Sequence, residues 1–501
     1  MRTIEVRPHG QAIHPPGQAI HPPGQAQRAR GLGMRGVVLW LRRDLRLADN
    51  RALERALVLA EGGPVHAFFY FSPELVAISA KRTSYMAASL RALDASPRGW
   101  LNLAFGDPAE EVTAFAGRVG AEAVVATREF SPLARRRDDR ASGLLERAGV
   151  KLELGDSPYL LPPGKLARAS GGWHRAFTPY YRKLSEHGFD APRGAPDPEL
   201  LERSLVTPEL RDPAALELLA LPELFDRERF PASEPEALSR LAAFAEEVGE
   251  YPAGRNLPAG DATSRLSPAL RFGVLHPRQV AAALSGRRGG DEAIRQLGWR
   301  DFFAQTVASA PDSAWANLDG RFDLMANDDP SASPARERLE AWRRGLTGFP
   351  LVDAGMRELA TSGWMHNRVR MVTASFLVKD LHLDWRVGAR HFMEELIDGD
   401  IASNNHSWQW VAGSGTDAAP YFRVFNPVLQ SKKFDPDGTY IRAHLPELAH
   451  LPTRFVHEPW EAKRLGLLDP GAYPGPIVDH AEEREEALRR FAELKGRQVD
   501  G

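Results

Sequence analysis

The chain has 501 residues, a formal net charge of -2, 43% hydrophobic residues and no cysteine. The absence of cysteine excludes disulfides, thiolate metal sites, iron–sulfur clusters and cysteine nucleophiles, so redox chemistry would require an organic cofactor or aromatic side chains. No apolar run reaches the roughly 20 residues that span a bilayer, and the N-terminus does not have the layout of a signal peptide. The length allows two or three domains, and we expect a cytoplasmic monomer without membrane association or a metal site.

The N-terminal segment contains a tandem heptad, GQAIHPP, followed by a further Gly-Gln-Ala. Its proline and glycine content cannot bury enough apolar surface to fold. The sequence therefore predicts a disordered extension over residues 1–33.

Short apolar runs alternate with helical stretches from Val37 to about residue 162. The runs are VVLWL, VHAFFYF, LNLAF, AVVA and KLEL. Strands separated by helices are typical of a doubly wound α/β fold with a parallel sheet, which we predict for residues 34–162. The helix after LNLAF has a start signal, with Asp107 as the cap and Pro108 as its first residue.

The composition changes twice after this region. Residues 163–234 are rich in proline, glycine and charge and are predicted to be a long interdomain linker. Beyond them, apolar residues recur at helical spacing in AAFAEEV, HPRQVAAAL, RMVTASFLV and ARHFMEELI. We therefore predict a mostly α-helical second domain over residues 235–490.

The segment from Asp398 to Pro427 combines glycines, amides and two near-adjacent tryptophans, Trp408 and Trp410. Its periodicity does not place it as one helix or strand. The glycines permit tight backbone paths and the amides supply hydrogen bonds, so the composition suits a pocket for a flat aromatic ligand. The alternative is a surface loop with two core tryptophans.

Four segments carry a resemblance to a known family. They are WLRRDLRLADN, TSRLSPALRFGVLHPRQ, GWMHNRVRMVTASFLVKDLHLDWR and the stretch from DGD to FNP. Together they resemble the photolyase/cryptochrome family, and within it the bacterial class I pyrimidine-dimer photolyases, from about Val37 to beyond Trp460. The resemblance implies an α/β antenna domain joined by a long linker to a helical FAD-binding domain, which agrees with the layout above.

The resemblance also implies a set of FAD contacts. Hydroxyls with one arginine suit the diphosphate; a helix cap is the alternative for Thr263 and Ser264, and capping can coexist with phosphate binding. An arginine–aspartate pair, for which an ordinary helix-to-helix ion pair is the alternative, and an amide at the flavin N5 would tune the ring. The implied contacts are Tyr251, Thr263, Ser264, Arg265, Leu266, Ser267, Arg300, Arg370, Asp398, Asp400 and Asn404.

The implied activity is light-driven repair of cyclobutane pyrimidine dimers in DNA by an electron from excited, reduced FAD. A flipped lesion would stack between aromatic walls, and the protein would associate with the nucleoid when on DNA. The implied lesion and DNA contacts are Arg255, Gln296, Trp299, Asn367, Met371, Trp410 and Arg423, with Arg300 also at the lesion. Trp408 and Trp385 match the inner two tryptophans of an electron relay, and with Asn404 they form the predicted catalytic set.

The sequence departs from the family at three places. Gln296 stands where class I enzymes usually carry a glutamate, and a glutamine at this position resembles the (6-4) photolyases. No tryptophan matches the outermost relay position, where the chain has FDLMANDDP, and Trp315 does not align there, so we expect slow photoreduction of the flavin. Ala134 replaces the glutamate of folate-binding relatives, which argues against folate and leaves a deazaflavin, FMN or no second chromophore. The functional alternatives are a cryptochrome-like photoreceptor without repair, (6-4) photoproduct repair, and light-independent DNA binding or flavin storage.

Overall fold

The computed structural model describes residues 36–95, 99–168, 171–417, 422–467 and 473–496. The predicted N-terminal extension lies outside the described residues. No described helix combines the length and the apolar character needed to cross a membrane. Within the same ranges, no group of three or more metal-ligating side chains could hold a metal ion.

A five-stranded parallel sheet forms the N-terminal part, as predicted. Its strands are β1 (Val37–Trp40), β2 (Val65–Phe71), β3 (Leu101–Phe105), β4 (Ala123–Thr127) and β5 (Lys151–Gly155). The spatial order is β3-β2-β1-β4-β5, and Val37 pairs with both Val65 and Ala123. The order reverses between β1 and β4, which makes their carboxyl ends the switch point of a doubly wound sheet.

Five helices follow the strands of this part in sequence. They are α1 (Arg51–Ala60), α2 (Pro73–Ile78), α3 (Ala80–Leu93), α4 (Pro108–Val119) and α5 (Pro132–Arg147). The start of α4 is the predicted one, because the Asp107 carboxylate accepts hydrogen bonds from the amides of Ala109 (3.0 Å) and Glu110 (3.1 Å).

The stretch predicted as a linker contains α6 (Phe177–His187), α7 (Pro198–Ser204) and α8 (Pro213–Leu219). It is held along β3 by Asn102, whose side-chain oxygen accepts from the amides of Glu209 (2.7 Å) and Leu210 (3.0 Å). The connecting segment therefore lies against the sheet edge.

The remainder is helical, as predicted. It contains α9 (Glu234–Glu247), α10 (Tyr251–Gly254), α11 (Ser267–Phe272), α12 (Pro277–Leu284), α13 (Gly290–Ser309), α14 (Ala335–Arg344), α15 (Pro350–Ser362), α16 (Asn367–Ser375), α17 (Trp385–Glu395), α18 (Ile401–Ala412), α19 (Pro427–Phe434), α20 (Thr439–His444), α21 (Thr453–Val456), α22 (Pro459–Arg464) and α23 (His480–Gly496). A π-helical turn, Phe376–Asp380, continues α16.

The two faces of the sheet belong to different cores, because successive side chains of a strand point to opposite faces. Val38 and Trp40 pack in a core with Phe115 of α4. Leu39 and Phe69 pack in a core that also contains residues of α9, α11 and α13, such as Phe302. A third core, in the helical part, contains Trp342, Trp385 and Trp408. One sheet face thus shares its core with the helical part.

Helix α18 lies within the segment from Asp398 to Pro427, which its periodicity did not place as one helix or strand, and occupies 12 residues of it. Asn404, Asn405, His406 and Gln409 are buried together with apolar residues, so no amphipathic pattern arises. Each buried amide finds a partner: Asn405 donates to the Ala314 carbonyl (2.6 Å) and Gln409 to the Ser313 carbonyl (2.7 Å).

Candidate functional site

Residues 263–267 form a loop that leads into α11. Arg265 lies in the left-handed region of backbone conformation, with φ of 56°. Its Nε donates to Asp261 Oδ1 (2.9 Å), and its guanidinium carbon lies 4.5 Å from the centroid of the Trp364 ring. Trp364 in turn donates to Ser267 Oγ (3.3 Å). Strained backbone held by several contacts is characteristic of ligand-binding loops.

The donors of this loop fit an anionic ligand. Thr263 Oγ1 and Arg265 Nη1 are buried and have no hydrogen-bond partner among the described residues. A buried unsatisfied donor costs about 1–3 kcal/mol, and a diphosphate would satisfy both atoms with charge-assisted bonds. Thr263 and Ser264 do not cap the helix, because no side chain caps α11. The Ser264 hydroxyl instead accepts from Leu266 N (3.4 Å) within the loop.

Arg240 also contacts this loop, and the sequence did not predict it. Its guanidinium donates to the carbonyls of Thr263 (3.2 Å) and Ser264 (3.1 Å). These bonds hold the loop from the side of its carbonyl groups. Tyr251, the remaining predicted contact of this group, is buried and packs edge-on against Phe244.

The predicted ion pair between Arg370 and Asp398 is present, with 2.9 Å between Nη2 and Oδ2. Arg370 Nε also donates to the Met365 carbonyl (2.7 Å). The guanidinium carbon lies 5.9 Å from the Trp364 ring centroid, next to the Arg265 contact. The Arg370–Asp398 pair and the loop of residues 263–267 therefore both contact Trp364.

Asp400 and Asn404 occupy the first turn of α18. The Asp400 carboxylate caps the helix by accepting from Ser403 N (3.0 Å) and forms an ion pair with Arg43 (2.9 Å). Burial alone would raise the pKa of Asp400, but the guanidiniums of Arg43, Arg271 and Arg300 outweigh burial and hold this pKa well below its usual range.

The orientation of the Asn404 amide is fixed by its donors. Its Nδ2 donates to the Ala389 carbonyl (3.0 Å) and to Asn405 Oδ1 (2.8 Å). Because a carbonyl only accepts, the nitrogen must point there. The Oδ1 atom is then the part of Asn404 that can bind a ligand, and it can only accept a hydrogen bond.

The two predicted relay tryptophans lie on neighbouring helices. Trp408 of α18 packs against the backbone of α17 at Gly388, where a Cβ atom would lie 2.2 Å from Trp408 Cη2. Trp385 is one turn before Gly388, and its Nε1 donates to Asn317 Oδ1 (2.9 Å). Trp408 also contacts the buried Trp342, with 6.2 Å between ring centroids.

The segment that lacks the outermost relay tryptophan lies beside Trp385. Phe322 and Met325 line a cavity together with Trp385. Trp315, which the motif alignment did not place, is 46% exposed, and its carbonyl accepts from Arg386 (2.7 Å), the neighbour of Trp385 in the chain.

Helix α13 holds Gln296, Trp299 and Arg300. Gln296 donates to the Glu292 carbonyl (3.1 Å). Trp299 stacks on Phe177 of α6, with 3.8 Å between centroids and 9° between planes, so only one of its faces can receive a base. Arg300 donates to the carbonyls of Pro158 and Leu270, which engages its guanidinium inside the protein.

Three arginines, Arg255, Arg368 and Arg423, form a positively charged rim near the start of α16. Burial, with the neighbouring guanidiniums of Arg255 and Arg423, lowers the pKa of Arg368. Arg368 donates to Asn256 Oδ1 (2.8 Å). It was missed by sequence reasoning, although its place beside Arg370 in GWMHNRVRM was a usable signal.

The other predicted DNA contacts border this rim. Asn367 and Met371 lie one turn apart on α16 and contact each other through Nδ2 and Sδ (3.9 Å). Trp410 donates to the Asp417 carbonyl (3.1 Å) and lines a surface pocket with Arg423.

The switch point of the sheet is lined by charged side chains. The guanidinium carbons of Arg42 and Arg137 lie 4.8 and 5.3 Å from the centroid of the buried Trp40 ring. Arg42 pairs with Asp138 (2.5 Å) and Arg137 with Glu129 (3.0 Å). Such a crevice is where doubly wound sheets bind ligands.

Comparison with known proteins gives the same assignment over most of the chain. Residues 37–199 match the family described as DNA photolyase, and residues 293–493 match the FAD binding domain of DNA photolyase. The deoxyribodipyrimidine photo-lyase of Streptomyces griseus is 39% identical over 477 residues, covering 92% of this chain and 99% of that protein.

Solved structures share the fold. A bacterial class III photolyase from Agrobacterium tumefaciens matches with a TM-score of 0.83 at 35% identity, covering 94% of this chain and 100% of that one. A cryptochrome from Synechocystis matches with a TM-score of 0.81 at 29% identity, covering 91% and 99%. Since a relative is 39% identical over nearly its full length and two family models match this chain, the chain belongs to the DNA photolyase family, as its four motifs predicted.

Proposed function

We propose that this chain repairs cyclobutane pyrimidine dimers in DNA with light, using FAD held by residues 263–267, Arg370, Asp398 and Asn404. The observation that carries the proposal is the fixed Asn404 amide, whose Oδ1 can only accept. A reduced flavin presents an N–H at N5, whereas an oxidised flavin presents a bare nitrogen, so Asn404 matches the reduced ring. When bound, reduced FAD supplies the electron that opens the cyclobutane ring.

The work of the protein is placement of the lesion. Flipping a dimer out of the duplex costs a few kcal/mol, and stacking on an aromatic ring returns about 1–3 kcal/mol per base. Trp410 and the open face of Trp299 supply the stacking surfaces, with Phe177 holding Trp299 from behind. The arginines of the rim, Arg255, Arg368 and Arg423, supply phosphate contacts that fix register.

One feature favours the dimer over the (6-4) photoproduct as substrate. His366 in GWMHNR is buried and caps α16 by accepting from Arg368 N (3.2 Å). Burial, with the nearby Arg265 and Arg370, lowers its pKa to about 3, so it is neutral at physiological pH and cannot donate a proton as an imidazolium. Opening of the dimer requires no acid or base.

The test is restoration of bases in a duplex that contains one thymine dimer. We expect the protein, with its FAD reduced, to split the dimer into two thymines under blue light and not in darkness. A duplex with a (6-4) photoproduct should remain unchanged under the same light. Turnover of that lesion instead would contradict the substrate assignment, and absence of turnover with bound FAD would favour the photoreceptor alternative.

Measurements of DNA affinity should distinguish the base-stacking contact of Trp410 from the phosphate contact of Arg368. Trp410→Ala is expected to weaken binding of dimer-containing DNA by about 1–3 kcal/mol, roughly 5- to 150-fold, while the salt dependence stays the same. Arg368→Ala is expected to weaken damaged and undamaged DNA alike and to reduce the slope of log K against log salt by about 1. Fluorescence anisotropy at several salt concentrations measures both.

The matched control is Arg489→Ala on α23, whose guanidinium is exposed and pairs with Glu486 (2.6 Å). It should change neither affinity nor slope. An equal loss of undamaged-DNA binding in Trp410→Ala would exclude a stacking role for that ring.

A further inference from the structure

Two consecutive arginines leave the end of β1 in opposite directions. Arg42 is bound inside the α/β part, to Asp138 (2.5 Å) and to the Thr127 carbonyl. Arg43 reaches the helical part, where Nη2 lies 2.9 Å from Asp400 Oδ2 and Nε donates to the Arg271 carbonyl (3.0 Å). The side chains of Arg43 and Asp400 are only 11% and 10% exposed, so this is a largely desolvated pair.

The pair acts on the first turn of α18. Asp400 caps that turn through Ser403 N (3.0 Å), and its carbonyl accepts from Asn404 N (2.8 Å). The preceding peptide is held as well, because Arg271 Nε donates to the Gly399 carbonyl (2.8 Å). The end of β1 thus fixes the backbone from which the Asn404 side chain projects.

The charges around Asp400 do not cancel. Arg43, Arg271 and Arg300 all depress the pKa of the Asp400 carboxyl. Glu129 also acts on Arg43 and Arg271, and Asp301, whose pKa burial raises to about 7, acts on Arg300. With Asp301 protonated, three guanidiniums face two carboxylates at the start of α18. The proximity of these guanidiniums also affects Arg271: burial, together with the positive charge of Arg43, lowers the pKa of Arg271 to about 9. A ligand that gains negative charge beside this turn is stabilised by the excess.

We propose that Arg43 is a positioning residue of the flavin site, which fixes Asp400 and the Asn404 turn and favours the reduced, negatively charged state of the cofactor. The inference rests on the proposed FAD site. It assigns the α/β part a role in the chemistry of the helical part, apart from any light-harvesting role.

The test compares the reduction potential of bound FAD in wild type, Arg43→Gln, Arg43→Lys and Arg42→Gln. Removing one positive charge beside the flavin destabilises its negatively charged, reduced state, so Arg43→Gln should shift the equilibrium toward oxidised FAD about tenfold, and Arg43→Lys should restore most of the loss. Arg42→Gln, the neighbouring buried arginine that faces the other way, should leave the potential unchanged.

A second variant covers the case in which Arg43→Gln does not fold. Asp400→Asn keeps a capping side chain and removes the negative charge, so it should shift the potential in the opposite direction. An unchanged potential in Arg43→Gln or in Asp400→Asn, or an equal shift in Arg42→Gln, would overturn the inference. Failure of the wild-type protein to bind FAD would instead refute the proposed function.

Discussion

Asp400→Ala is expected to lower the free energy of unfolding by about 4–6 kcal/mol. Removing one partner of a buried ion pair leaves the other uncompensated, at about 3–5 kcal/mol, and here Arg43 is that partner. Loss of the α18 cap adds about 1 kcal/mol. Urea unfolding followed by circular dichroism measures the change, and the purified variant should contain less than stoichiometric FAD.

Asp384→Ala is the matched control for this prediction. Asp384 is also an aspartate at a helix start, where it caps α17 through Arg386 N (2.7 Å) and pairs with the Arg386 guanidinium (2.8 Å). Both side chains are about one third exposed, 35% and 30%, so solvent replaces the lost pair. The control should lose only about 1 kcal/mol. Equal losses in the two variants would show that burial of the Asp400 pair has no energetic consequence.

The effect of Asp400 on stability should persist to low pH. Its folded-state pKa lies below its unfolded value, near 4, so the carboxylate contributes stability above the unfolded pKa and loses it only as pH falls through the folded one. The difference between wild type and Asp400→Ala should thus be constant above about pH 5 and narrow in strong acid.

Gly388→Leu is expected to displace Trp408 and to slow light-driven reduction of bound FAD. A Cβ at this position would lie within 2.2–2.8 Å of three atoms of the Trp408 ring, well inside van der Waals contact. Overpacking of this kind costs about 1–3 kcal/mol, and occasionally more. The flavin absorbance under blue light with an external thiol follows the reduction, and urea unfolding follows the stability.

Gly117→Leu on α4 is the corresponding control, because nothing lies within 4 Å of a Cβ built there. A leucine favours helix over glycine by about 0.8–1 kcal/mol, so this variant should be at least as stable as wild type and should photoreduce at the wild-type rate. Unchanged photoreduction in Gly388→Leu would exclude electron transfer through Trp408.

The elements that the sequence predicted well are those with local signals. Each strand of the sheet is a short apolar run, and the α4 cap is a single aspartate followed by proline, so both could be found without tertiary information. The ion pair of Arg370 and Asp398 was predicted through long motifs rather than through periodicity, as was the proposed role of residues 263–267.

The features that sequence reasoning missed depend on tertiary contacts. Helix α18 has no apolar stripe because its amides are buried and satisfied by the turn that ends at Ala314. Arg43 and Asp400 are separated by most of the chain, and nothing near either residue identifies the other. Arg240 binds carbonyls rather than a side chain, which leaves no pattern in the sequence.

The stack of Phe177 on Trp299 constrains how this chain can be recombined with its relatives. The rear support of a substrate-facing ring comes from α6, a helix of the connecting segment rather than of the helical part that carries Trp299. A chimaera whose breakpoint falls between residues 187 and 290 would therefore join α13 to a foreign supporting ring. Breakpoints before residue 177 keep both rings from one parent.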